Sequence, residues 1–87
     1  MDALDGNAIA GLLHEIFGEE MTTAIGVCGN CGATGPVAET TVYTMCPGVV
    51  VRCRSCGSVL MVFARVRRMT TVDLRGLRSL ETTGVTF

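Results

Sequence analysis

The stretches Cys28-Gly29-Asn30-Cys31-Gly32 and Cys53-Arg54-Ser55-Cys56-Gly57 decide how this chain of 87 residues folds. Each is a C-x-x-C-G motif, and 21 residues separate the two motifs' inner cysteines, Cys31 and Cys53. Two residues between cysteines let a tight turn aim both sulfurs at one metal ion, and the glycine that follows permits a positive φ. Two such pairs at hairpin-sized separation predict a tetrahedral zinc site whose ligands are Cys28, Cys31, Cys53 and Cys56.

A zinc site of this kind is expected to be structural. Four cysteine ligands fill every corner of the tetrahedron, so no position remains for a catalytic water. Iron accepts the same four thiolates, and a rubredoxin-like electron carrier is therefore an alternative, although four aromatic residues give little shielding to a redox metal. A thioredoxin-like dithiol is disfavoured because neither pair stands at the start of a helix that follows a strand.

The composition explains why a metal would be needed. Apolar residues make up 48% of the chain and charged residues only 17%, which excludes a mostly disordered protein. A chain this short buries only about 60% of its unfolded surface and usually needs a disulfide, a metal or a partner. The longest apolar run is 59–64, too short to span a membrane, and the acidic N-terminus is unlike a secretion signal. We therefore expect a single cytoplasmic domain, 1–87, with reduced cysteines.

The pattern along the chain predicts a small α+β fold, in which an N-terminal amphipathic helix packs on an antiparallel zinc-ribbon sheet. Apolar residues recur at helical spacing from Ile9 to Phe17, Asp5 or Asn7 can cap the helix, and Gly18 can end it, so we expect a helix over 5–18. The zinc ribbon is expected over 22–81, with strands over 22–27, 37–45, 49–53, 58–66 and 70–74. We also predict turns at 46–48 and 67–69, a helical turn over 76–81 and a flexible tail over 82–87.

The fourth predicted strand, 58–66, is apolar on both faces. Its residues alternate between Val59, Met61 and Phe63 on one face and Leu60, Val62, Ala64 and Val66 on the other. The helix can cover only one face of the sheet. The face of Leu60, Val62 and Val66 is therefore expected to bind a protein, either a second copy of the chain or a larger enzyme that it accompanies.

Charge divides the chain into an acidic and a basic part. Residues 1–45 hold six acidic and no basic residues, whereas 46–87 hold seven arginines against two acidic residues. Arg65, Arg67 and Arg68 near a hairpin tip could meet phosphates, so nucleic-acid binding is a second alternative. The pI of about 5.7, the absence of lysine and the lack of interleaved aromatic residues disfavour it.

Two further side chains could in principle ligate a metal or take part in catalysis. Cys46 follows the second predicted strand and is expected to be a free, buried thiol. His14 lies about 130° around the helix from the apolar stripe and is expected to face solvent. Because the carboxylates cluster on the helix and no Ser, His and Asp set is apparent, we expect no catalytic site and no enzyme activity.

Four stretches that cover nearly the whole chain carry a resemblance to a known family. They are LDGNAIAGLLHEIFGEEMT at 4–22, CGNCGATGPVAE at 28–39, PGVVVRCRSCGSVLM at 47–61 and VDLRGLRSLE at 72–81. They resemble a family of bacterial zinc-ribbon proteins of unknown function, mainly from high-GC Gram-positive bacteria. The resemblance implies the same four cysteines as metal ligands and suggests association with flavin or molybdopterin oxidoreductases. The chain departs from that family at position 46, which argues against a shared role for Cys46.

Overall fold

The first helix begins at an aspartate cap and ends at a glycine. The computed structural model describes residues 4–45 and 48–82. Asp5 accepts a hydrogen bond of 3.1 Å from the N–H of Asn7, Gly6–Ile9 wind as a 3₁₀ helix, and helix α1 spans Ala10–Phe17. Gly18 takes the left-handed conformation with φ 77° and donates its N–H to the carbonyl of His14. The predicted N-terminal helix is thus present, with its first turn wound more tightly than an α-helix.

The strands of the described residues form two antiparallel sheets. They are β1 (Leu4–Asp5), β2 (Ile25–Cys28), β3 (Thr34–Pro36), β4 (Thr41–Met45), β5 (Gly48–Arg52), β6 (Val59–Val66), β7 (Met69–Asp73) and β8 (Leu77–Glu81). The five-stranded sheet has the order β1-β4-β5-β6-β7, and the three-stranded sheet has the order β3-β2-β8. A 3₁₀ turn, Val37–Glu39, connects β3 of the three-stranded sheet to β4 of the five-stranded sheet.

The predicted helical turn over 76–81 is wrong. Residues Leu77–Glu81 form β8, which pairs with β2 from Cys28↔Leu77 to Ile25↔Glu81. The apolar spacing of Leu77 and Leu80 suggests a helix, but a single helical turn is too short to be stable by itself. As a strand, the same residues form backbone hydrogen bonds with β2.

Other predicted boundaries shift by a few residues. The strand expected over 37–45 begins only at Thr41, because the preceding residues form the 3₁₀ turn, and β1 and β3 were too short to be predicted. The hairpin turn at 67–69 is confirmed in place, with β7 starting at Met69. Residues 46–47 of the predicted turn and 83–87 of the predicted tail lie outside the described residues.

The apolar core lies between α1 and one face of the five-stranded sheet, which we call the inner face. Phe17 of the helix packs edge-on against Phe63 of β6, with ring centroids 6.4 Å apart. Leu13, Val42 and Val51 are fully buried in the same cluster. The opposite side of this sheet, the outer face, carries the side chains of Tyr43, Val50, Val62, Ala64, Val66 and Met69.

A β-bulge corrects the expected position of Leu60. In the pairing of β5 with β6, Val51 lies opposite Met61 and Arg52 lies opposite Val59, so Leu60 is an extra residue on β6. The bulge turns both Leu60 and Met61 into the core, where Leu60 is only 5% exposed. The prediction that Leu60 shares an open face with Val62 and Val66 is therefore wrong, and Val59 lies on the outer side instead.

In the described part of the chain, no helix has both the length and the apolar character that crossing a membrane requires.

Candidate metal centre

Two loops of matching geometry hold the four predicted cysteines. In the first loop, Cys28–Gly32, the N–H of Gly32 donates to the carbonyl of Cys28 at 3.0 Å; in the second, Cys53–Gly57, Gly57 donates to Cys53 at 2.9 Å. Both glycines have φ 77°, a conformation that glycine adopts without steric cost. The first cysteine of each loop also donates its N–H back across the loop, Cys28 to Ala33 and Cys53 to Ser58. The repeated motif in the sequence thus produces a repeated backbone turn.

The two loops bring the four sulfurs together. The Sγ atoms of Cys28 and Cys56 are 3.7 Å apart, as are those of Cys31 and Cys53, and all four lie within 4.8 Å of one another. In a tetrahedral site with metal–sulfur bonds of about 2.3 Å, neighbouring sulfurs lie about 3.8 Å apart. Two of the sulfur–sulfur distances match this value, and all four thiols are close enough together to ligate a single metal ion.

Backbone and side-chain donors surround the sulfurs. Cys28 Sγ accepts from the N–H groups of Asn30 and Cys31 at 3.4 and 3.5 Å, and Cys53 Sγ accepts from Ser55 N–H at 3.4 Å. The side-chain amide of Asn30 reaches across to Cys56 Sγ at 3.5 Å and so links the first loop to the second. Donors of this kind stabilise thiolates, which are the form of cysteine that binds metals.

The surroundings of the cluster shift the pKa values of two of its thiols in opposite directions. Hydrogen bonds from Ser58 and then from Asn30 lower the pKa of Cys56 to about 5. The N–H of Ala33 lowers the pKa of Cys31, but desolvation and the three other sulfurs together raise it to about 11. One thiol therefore ionises readily and another retains its proton. A divalent metal would offset the negative charge of thiolates held this close together, and the donor set fits zinc or iron.

The arginines beside the second loop are engaged elsewhere. Arg54 forms an ion pair of 3.0 Å with Glu39, and Arg52 donates to the carbonyl of Gly57 at 2.9 Å while lying over the ring of Tyr43. Arg54 and Glu39 tie the second loop to the 3₁₀ turn that precedes β4. The arginines therefore brace the loop and do not contact the sulfurs in the structure.

A close backbone contact positions the first loop against the rest of the molecule. Gly76 precedes β8, and its carbonyl accepts the N–H of Gly29 at 2.9 Å. A Cβ atom on Gly76 would lie 1.9 Å from the carbonyl oxygen of Val59, so only glycine fits here. Sequence reasoning did not single out Gly76 or the Asn30 amide; a glycine between an arginine and a leucine and an asparagine inside a cysteine pair are weak signals.

The remaining candidate side chains lie apart from the cluster or outside the described residues. His14 is exposed on α1, as its position around the helix predicted. Arg65 forms an ion pair of 2.7 Å with Glu15, which ties β6 to the helix. Cys46 lies outside the described residues, so its predicted role as a free thiol stays a prediction.

Comparison with known proteins gives a family but no relative of established function. No curated protein and no solved structure matches the chain. The model of one family, described as a family of unknown function (DUF6510), matches residues 1–85. The match covers both cysteine loops, the helix and every strand described above. The chain therefore belongs to this family, DUF6510.

Proposed function

We propose that the chain is a non-catalytic zinc-ribbon module, in which Cys28, Cys31, Cys53 and Cys56 hold one structural Zn²⁺ and the folded module binds another protein. The observation that best supports the metal is the close approach of four sulfurs, all within 4.8 Å of one another, on two matched loops. A closed set of four thiolates leaves no ligand position for water or substrate. The metal would then stabilise the fold without taking part in a reaction, and the chain would not be an enzyme.

A rubredoxin-like iron carrier is the second candidate, because one observation favours it. Cys31 and Cys56 are exposed, and an electron donor could approach their sulfurs closely. Against iron stands the low aromatic content, with four rings in the whole chain to shield a redox metal. Zinc needs no such shielding, since it has no redox chemistry.

Metal analysis tests the site and distinguishes the two candidates. The chain is expressed in medium that contains both zinc and iron, and the bound metal is measured by mass spectrometry together with the visible spectrum. We expect one zinc per chain and no colour. The variant Cys56→Ser should lose the metal, whereas Cys46→Ser serves as a matched control and should retain it. A red protein with one iron per chain would contradict the zinc-module proposal and support the electron carrier.

The outer face of the five-stranded sheet supports the second half of the proposal. Val62 is half-buried, and Val66 and Met69, which pair with each other further along the same face, are 55% and 74% exposed. Contiguous apolar surface of this kind on a small protein usually marks a protein interface. The partner is either a second copy or a subunit of a larger enzyme, and the family resemblance favours an oxidoreductase. Reduced thiols suit a cytoplasmic location.

Affinity purification from the native cell, with light scattering of the pure chain, tests the interface. We expect Val62→Asp to lose the co-purifying protein or the dimer, because it places a charge in the apolar patch. Thr34→Asp, on an exposed position of the other sheet, is the control and should behave as wild type. Equal recovery of the partner by both variants, each with its zinc bound, would rule out the outer face as the interface.

A further inference from the structure

Strand β7 forms one end of the five-stranded sheet, and no strand of the described residues pairs with its second edge, which we call the free edge. The pair Val66↔Met69 closes the β6–β7 hairpin across two residues, so this pair exchanges both backbone hydrogen bonds. Hydrogen-bonded pairs recur at every second position of an antiparallel ladder. The N–H and C=O groups of Thr70 and Val72 therefore point away from β6, towards the free edge.

Within the described residues, the Met69–Val72 part of β7 lacks the features that usually protect a sheet edge. Natural sheets guard their edges with proline, lysine, a bulge or a covering element. The residues of β7 include neither proline nor lysine, the strand pairs with β6 in unbroken register, and Met69–Val72 are exposed. The other sheet differs, since its edge strand β3 carries Pro36, which has no N–H to offer. Of these two edge strands, β3 is blocked to strand pairing at Pro36 and β7 is open.

Two arginines stand at the tip of the same hairpin. Arg65 is held by Glu15, but within the described residues neither Arg67 nor Arg68 has an ion-pair partner. Arg67 has a φ of 57°, a left-handed conformation that is unfavourable for an ordinary residue and suits glycine or asparagine. The turn thus holds a positive charge at a position where an uncharged glycine would be easier to accommodate.

We propose that β7 is a docking strand for an extended, acidic segment of a partner protein. The segment would add to the sheet by pairing with Thr70 and Val72, and its carboxylates would lie beside Arg67 and Arg68. Alternate side chains of an extended segment lie on the same side, and the exposed side chain of Met69 offers that side an apolar contact. This inference rests on the proposed protein-binding function and names the chemistry of the partner.

A second copy of the chain fits this edge less well. It offers Arg67 and Arg68 little compensating charge, because Asp73, the one acidic residue of β7, already forms an ion pair with Arg75. An acidic segment supplies that charge, which is why we assign the edge to a different polypeptide.

Hydrogen exchange of the zinc-loaded chain tests the edge without any substitution. The amides of Thr70 and Val72 should exchange rapidly in the free chain, and those of Thr71 and Asp73 should be protected by β6. The probe is a short peptide that alternates glutamate and valine, which should slow exchange at Thr70 and Val72. Slow exchange at both positions in the free chain, together with a dimer in light scattering, would assign the edge to a second copy and overturn the inference.

Binding of the same peptide, measured by fluorescence anisotropy, tests the chemistry. Val72→Pro removes an N–H that bonds only to the partner and should weaken binding about threefold to tenfold, the effect of one net hydrogen bond. Val72→Thr is the matched control and should bind as wild type. The double variant R67S/R68S should weaken binding and flatten its salt dependence, while Arg78→Ser should change neither. A peptide of alternating lysine and valine should not bind.

The outcomes separate this inference from the proposed function. Equal binding by Val72→Pro and wild type, or equal binding of the acidic and basic peptides, would overturn the docking strand. If Val62→Asp then still abolishes partner recovery, the protein-binding function stands and the outer face alone serves it. If Val72→Pro fails to fold, chemical shift mapping on the wild-type chain replaces it. The shift changes that the acidic peptide causes must then centre on Thr70 and Val72.

Discussion

The two sheets of this small protein are stabilised in different ways. The five-stranded sheet contributes several fully buried side chains to the shared apolar core, with Val42, Val51 and Phe63 buried beneath α1. Among the residues of β2, β3 and β8, only Cys28 is fully buried. The three-stranded sheet therefore depends on the cysteine cluster, whose first loop follows β2 and whose second loop lies between β5 and β6. The proposed metal therefore joins a sheet with several fully buried side chains to one that buries few of its own.

Removal of the metal should have the largest effect on the fold, and it should affect the three-stranded sheet first. Apparent zinc affinities of about 10–16 kcal/mol equal or exceed the whole stability of a small domain, about 5–15 kcal/mol. We expect a strong chelator, or Cys28→Ser, to abolish the native circular dichroism. Hydrogen exchange during slow chelation should show protection lost first in β2 and β8 and last in β5 and β6. Native dichroism after complete zinc removal, or loss in the opposite order, would contradict the comparison.

Gly76→Ala tests how tightly the backbone packs at the point where the chain crosses from the five-stranded to the three-stranded sheet. Its Cβ would lie 1.9 Å from the carbonyl oxygen of Val59 and 2.6 Å from the Cα of Leu60, so the backbone must move. We expect a loss of about 2–4 kcal/mol in the free energy of unfolding, measured by denaturant titration of the zinc-loaded chain. Gly35→Ala is the control, since its Cβ meets no atom within 4 Å. It should change stability by less than about 0.5 kcal/mol.

Adjacent valines of β5 test whether the five-stranded sheet is supported from one face only. Val51→Ala removes two methyl groups from a side chain with no exposed surface and should cost about 2 kcal/mol. Val50→Ala removes the same groups from the half-buried outer face and should cost less than about 1 kcal/mol. Equal losses in denaturant titrations would mean that the outer face is already covered in the isolated chain.

The smallest expected effect concerns the donor that links the two loops. The Asn30 amide donates to Cys56, favours the thiolate and so helps to lower the pKa of Cys56. Asn30→Ala removes that donor and raises this pKa, so protons should displace the metal at a higher pH. We expect the midpoint of acid-induced zinc release, followed with a chromogenic chelator, to rise by less than about one pH unit. Ser55→Ala, which keeps the backbone donor to Cys53, should leave the midpoint unchanged.

The cysteine loops and the helix were readable from the sequence because their signals are local. A C-x-x-C-G motif specifies its own turn, and Asp5 and Gly18 mark the ends of the helix by short-range hydrogen bonds. The same holds for the hairpin at 67–68. Each of these features depends on residues that lie within a few positions of one another, which is the range over which sequence patterns are informative.

The errors came from long-range pairing. Leu77–Glu81 forms a strand only because β2 lies beside it, and residues so distant in sequence cannot reveal that neighbour. The bulge at Leu60 follows from the register between β5 and β6, which alternation along one strand cannot show. The β-bulge changed the functional interpretation as well, since it moved Leu60 from the proposed interface into the core.

The pairing of β2 with β8 also has a consequence for the order of folding. Without a metal, the contact between Cys28 and Leu77 closes a loop that contains most of the chain, which is slow and costly in chain entropy. With a metal that joins Cys28 to Cys56, the same contact closes only the segment from 56 to 77. The two cysteine hairpins can form early and locally, and β8 would then add last to a scaffold that the ion has already brought together.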